Sequence, residues 1–154
     1  MKVLISLESG LSDSAASAAA GELTITGDML DLSWTEPPQG EDKSVSVHRL
    51  SYQRQADILH IERTGDNASD LSFSPTARTQ GLLSTPYGDF AMDIETKLLL
   101  VPEELWHFSD EAAEVFTRKQ MCESIQLSYF LHINGQEPMP NDITIQITLE
   151  KNRK

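Results

Sequence analysis

The chain has 154 residues, enough for one domain with a sizeable core. Its 24 acidic and 12 basic residues leave a formal net charge of −12, which repels phosphate backbones and anionic headgroups and excludes nucleic acid and membrane surfaces as expected partners. A single cysteine, Cys122, excludes an intrachain disulfide and a cysteine-rich metal site, and no stretch approaches the roughly 20 apolar residues of a spanning helix.

The first apolar run, Val3 to Leu7, is too short for a secretory signal, so the expected location is cytoplasmic. It reads as a strand, with Val3, Ile5 and Leu7 alternating with Lys2, Leu4 and Ser6. Ser9 to Ala20, rich in Ser, Ala and Gly, reads as a flexible loop. Leu23 with Ile25, then Leu30, Leu32 and Trp34, repeat the period-two pattern around a Gly27-Asp28 turn. Two prolines in the polar segment Glu36 to Asp42 end that ladder. Leu59 with Ile61, and Leu71 with Phe73, follow on either side of Thr64-Gly65-Asp66-Asn67.

Pro86-Tyr87-Gly88 marks the next reversal, before a long strand whose apolar set is Phe90, Met92, Ile94, Leu98 and Leu100. The rhythm breaks over 102–121, a helical or loop insertion. Within it Ser109 to Gln120 has helix formers, acids early and bases late, and predicts one short helix, with the turn and flank of a longer hairpin as the alternative. Two clean alternating segments close the chain, Ile125 to Ile133 and Ile143 to Leu149, separated by Asn134-Gly135. One buried and one wetted face per segment is the pattern of antiparallel sheet around a single core. Roughly eight to ten short strands at hairpin spacing predict a sandwich or a barrel, and 1–154 reads as one domain.

Ser84-Thr85-Pro86-Tyr87-Gly88 resembles the YwiB-like family of small bacterial proteins. Leu32-Ser33-Trp34-Thr35-Glu36, Ile61 to Gly65, Thr96, and Leu127-Ser128-Tyr129 ahead of Asn134-Gly135 are similar to that family in the same order, from about Gly21 to Glu150. The resemblance implies a calycin-like (lipocalin-like) antiparallel β-barrel and no activity. Trp34 stands where tyrosine is commoner in the family, and 102–121 is longer than its usual connection.

Strand parity places four polar residues on apolar faces: Glu36 with Trp34, Arg63 with Ile61, Thr96 with Ile94, and Tyr129 with Leu127. A buried charge is costly unless paired, so Glu36 and Arg63 are expected to pair internally. They either fasten strand ends or, with Trp34, Thr96 and Tyr129, form the few polar groups of a ligand pocket. Tyr87 is expected to cap the barrel mouth, as turn residue or ligand contact. His48, His60, His107 and His132 are scattered without a metal-ligand constellation, and nucleophile, phosphate-loop and dinucleotide motifs are missing. No metal, cofactor or catalytic residue is therefore expected. Leu105-Trp106-His107-Phe108 is expected to pack as a lid, with a partner-binding patch as the alternative. Two readings stand: a non-enzymatic barrel binding a small apolar or amphipathic ligand, or an interaction module or homodimer using the outer sheet face and the Trp106 loop.

Overall fold

The computed structural model describes residues 1–9, 18–36, 45–65, 68–109, 122–134 and 136–149. Among the described residues ten strands follow in chain order: β1 (Lys2–Ser9), β2 (Ala18–Thr26), β3 (Met29–Glu36), β4 (Ser46–Gln53) and β5 (Ile58–Thr64) form the first half. The second half is β6 (Ala68–Phe73), β7 (Thr79–Thr85), β8 (Gly88–Leu100), β9 (Cys122–His132) and β10 (Met139–Leu149). Each strand pairs antiparallel with its neighbours in sequence, and β10 pairs back onto β1 from Val3↔Leu149 to Ser9↔Ile143, closing the barrel. Closure leaves no free sheet edge, the liability of an open antiparallel sheet.

The alternation of the sequence is realised as one buried face per strand. Ile5, Leu23, Leu32, Leu59, Ile125 and Ile147 are at most 1 % exposed and belong to a single core. A 3-10 helix, Glu103–Ser109, leaves β8 and returns towards the core at the end where β2–β3, β4–β5 and β6–β7 are joined. Its Leu105 and Phe108 are buried among the core residues. Trp106 donates its Nε1–H to the Gly27 carbonyl at 3.0 Å, lies under the Arg54 guanidinium at 4.6 Å, and meets Tyr52 edge-on. Arg54 also pairs with Asp28 at 2.7 Å, and the Tyr52 hydroxyl donates to Asp57 at 2.6 Å. This end of the barrel is plugged by Leu105 and Phe108 of the expected lid, and the half-buried Trp106 indole is engaged by Gly27, Arg54 and Tyr52.

Three expectations change. β4 is a full strand that period-two reading passes over, because its inward positions begin with Ser46 and His48 before reaching Leu50 and Tyr52. A register shift between Thr96 and Leu98 moves Leu99 onto the core and leaves Leu98 and Leu100 at 38 % and 52 % exposed. A bulge inserts one residue, which flips the parity of everything after it. β2 begins at Ala18, inside the segment composition assigns to a loop, because the backbone from Ala18 to Ala20 pairs with Ser6 to Leu4 of β1. The predicted helix beyond Ser109, the two prolines after Glu36, and Gly135 lie outside the described residues.

Candidate functional site

Cross-strand register lines up one inward row across seven strands: Gly21, Trp34, His48, Arg63, Ser69, Leu83 and Phe90. The row beside it, towards the plugged end, is Leu23, Leu32, Leu50, Ile61, Leu71, Gly81 and Met92. Of these two rows, one carries polar side chains into the interior and the other carries none. The polar band lies towards the ends of β3, β5 and β7, away from the 3-10 helix.

Within that band Trp34 is 3 % exposed, and its indole stacks on the His48 imidazole with centroids 4.9 Å apart and planes 7° from parallel. Glu36, two residues on along β3 and therefore on the same face, brings Oε2 to 3.5 Å from His48 Nε2. Arg63 sits opposite His48 in register and donates from Nη2 to the hydroxyl of buried Ser46 at 3.4 Å. Burial is the main force on His48 and holds its pKa below the ordinary value. Glu36 pulls it back up, and the Arg63 charge pushes it further down. The imidazole is therefore neutral near pH 7, between a carboxylate and a guanidinium that offset each other.

Thr96 and Tyr129 lie on the other wall: β9 stands five places from β4 in the ring of ten strands. They face each other in the β8–β9 register at 8 % and 6 % exposure, and the Tyr129 ring packs on Phe73 with centroids 4.8 Å apart. Burial alone raises the Tyr129 pKa. Tyr87 stands apart from both groups. It is 94 % exposed in the β7–β8 turn, where Thr85 Oγ1 accepts its backbone N–H at 3.1 Å. The side chain caps nothing, since the two-residue turn aims it outwards; its backbone makes the reversal.

The structure thus gathers Trp34, Glu36 and Arg63, holds Thr96 with Tyr129 at a second place, and leaves Tyr87 in solvent. His48 is the residue that sequence reasoning missed. Its parity with Leu50 and Tyr52 was the available signal, hidden because the strand starts polar.

Other polar groups face out. His60 bonds to Asp70, and His132 Nε2 meets Glu95 Oε1 at 3.2 Å on outer faces. A surface groove of about 310 Å³ over β2–β5 is edged by Glu22, Asp31, Arg49 and Glu62. Among the described residues no group of three or more His, Cys, Asp or Glu could hold a metal ion, and no helix is long and apolar enough to cross a membrane.

Comparison with known proteins agrees with the fold. The crystal structure of the ywiB protein from Bacillus subtilis superposes with a TM-score of 0.61 over 97 % of this chain and 89 % of that one, at 14 % identity. No curated protein matches the chain. The profile described as "Domain of unknown function (DUF1934)" matches residues 5–145. The chain belongs to the DUF1934 family.

Proposed function

We propose that the protein is a non-enzymatic binding barrel whose polar band takes the head of a small, uncharged amphiphile. The observation that carries this reading is the inward row itself, in which Trp34, His48 and Arg63 abut a wholly apolar row. Hydrogen-bonding groups beside apolar wall are the composition of a small-molecule site. Leu7, Leu131 and Ile143 pack against the core yet are only partly buried, and Phe90 in the polar row is 47 % exposed, so apolar surface is accessible beside the polar groups.

Charge argues for a neutral head. Glu36 and Arg63 offset each other around a neutral His48, and the −12 chain repels anions at long range. An octyl chain supplies about 6 kcal/mol at about 0.8 kcal/mol per buried CH₂, before the costs of association. The affinity expected for n-octanol is therefore modest, and retention of a natural ligand depends on the polar contacts. A cytoplasmic, reducing setting fits the exposed free thiol of Cys122. The alternative of a docking module built on Trp106 loses support, because that indole is engaged with Gly27, Arg54 and Tyr52.

The test is titration of the purified protein with n-octanol and with octanoate, read by thermal shift and by tryptophan fluorescence, with Trp106→Phe separating the Trp34 emission. Saturable binding of the alcohol, with octanoate weaker, is expected. Native mass spectrometry of protein isolated from its own host should show a retained neutral molecule. No saturable response to either probe, together with a bare mass, would overturn the reading.

A further inference from the structure

His48 is the member of the polar band whose charge changes near neutral pH. Trp34 of β3 covers its ring, and the charged groups that face it among the described residues are Glu36 of β3 and Arg63 of β5. On its own strand Ser46 accepts a hydrogen bond from Arg63 at 3.4 Å. The imidazole Nε2 is enclosed and makes no hydrogen bond, with Glu36 Oε2 3.5 Å away. A proton arriving there has that carboxylate beside it. Glu36 is also the more accessible of the two, its side chain 27 % exposed against 12 % for His48.

One carboxylate cannot serve two partners equally. While His48 is neutral, Glu36 is the accessible acceptor for the hydroxyl of an uncharged head. Protonation adds one positive charge to the band and draws the carboxylate onto the imidazolium, since a charge-assisted hydrogen bond is about twice as strong as a neutral one. The hydroxyl then loses its acceptor, and a head carrying negative charge gains attraction. None of this needs room in the packed core. The head meets the group at Glu36, the last residue of β3, in a band whose Phe90 is 47 % exposed.

We propose that the polar band is a proton-set selector, taking uncharged heads while His48 is neutral and anionic heads once His48 is protonated and has drawn Glu36 to itself. This rests on the binding reading above and adds the regulation of that site. Burial, opposed by Glu36 and reinforced by Arg63, holds His48 below its ordinary value, so the anion-taking form belongs to the acid side of about pH 6.5. The coupling is reciprocal. A bound anion raises the proton affinity of His48 by the factor through which the proton raises affinity for the anion.

The experiment measures the affinities of n-octanol and of octane-1-sulfonate, an anion at every pH used, by calorimetry at about pH 7.5 and about pH 5.5. In the wild type the preference for the alcohol should shift towards the sulfonate by about tenfold on acidification. His48→Phe, which keeps a ring on Trp34 and cannot titrate, should hold the preference within about twofold. Glu36→Gln adds a positive charge without a proton, so it should bind the sulfonate about tenfold more tightly than the wild type already at about pH 7.5. A wild-type preference that moves by less than about twofold, or one that moves as far in His48→Phe, overturns this inference and leaves the binding reading standing. So does a Glu36→Gln protein that gains no affinity for the sulfonate. If neither compound binds the wild type saturably at either pH, both fall together.

Discussion

The imidazole of His48 lies flat on the indole of Trp34, 4.9 Å between centroids, with a carboxylate oxygen of Glu36 3.5 Å from its Nε2. Neither residue of the stack is exposed enough for water to solvate an added proton, and the Arg63 charge opposes one. Folding therefore lowers the His48 pKa from its ordinary value near 6.5.

That shift fixes the sign of a pH dependence. A histidine with a lowered folded pKa binds protons more readily in the unfolded chain, so its contribution is complete above about pH 6.5 and is lost as pH falls towards the folded value. Urea midpoints of the wild type should fall between about pH 7 and pH 5 more steeply than those of His48→Phe, which keeps a ring on Trp34 and cannot titrate. Parallel curves would show that His48 does not titrate against folding.

Closure of the plugged end rests on a few side chains. Phe108→Ala should cost about 3–5 kcal/mol, as for other large core truncations, and Trp106→Ala about 2–4 kcal/mol because the indole is only partly buried. Trp106→Phe keeps the ring and loses the bond to the Gly27 carbonyl, a cost of about 1 kcal/mol. Equilibrium urea unfolding reads all three. A Trp106→Ala loss below about 0.5 kcal/mol would mean the lid contributes nothing to closure.

Gly21 shares the inward row with Trp34, and a Cβ there would meet the Ser33 carbonyl oxygen at 2.6 Å and crowd the Ile5 side chain. A carbonyl in a strand ladder cannot rotate away, so Gly21→Ala should destabilise by about 1–3 kcal/mol through overpacking. Gly27→Ala tests a different cause. Its space is open but its φ is +58°, so about 1 kcal/mol is expected from backbone strain alone. Equal stability of Gly21→Ala and wild type would mean that β2 can shift away from β3.

Tyr87→Ala should change stability by less than about 0.5 kcal/mol, since the ring is 94 % exposed. It should also leave n-octanol binding unchanged. A clear loss of binding in this variant would return Tyr87 to the mouth of the barrel.

Most of the wall was legible because period-two alternation survives wherever a strand has an apolar inner face. Val3 to Leu7, Leu30 to Trp34 and Ile143 to Leu149 are such strands, and they fold as read. β4 was not legible, since Ser46 and His48 occupy inward positions that the pattern expects to be apolar. The end of β8 was misread for a different reason: a single bulged residue leaves composition untouched and reverses parity. The site was half legible. Parity put Glu36, Arg63, Thr96 and Tyr129 inside, but it says nothing about which inward residues share a row.

Alternation and turn chemistry by themselves determined an all-β antiparallel chain and most of the side chains that line its interior, β4 and the end of β8 excepted, because side-chain direction along a strand is a local property. Closure through β1 and β10, the plug formed by Leu105 and Phe108, and the meeting of Trp34, Glu36, His48 and Arg63 were decided by the tertiary structure. Register between strands joins residues far apart in the chain, and no local pattern encodes it. That register turns separate polar exceptions into one polar band and sets Thr96 opposite Tyr129 on the other wall.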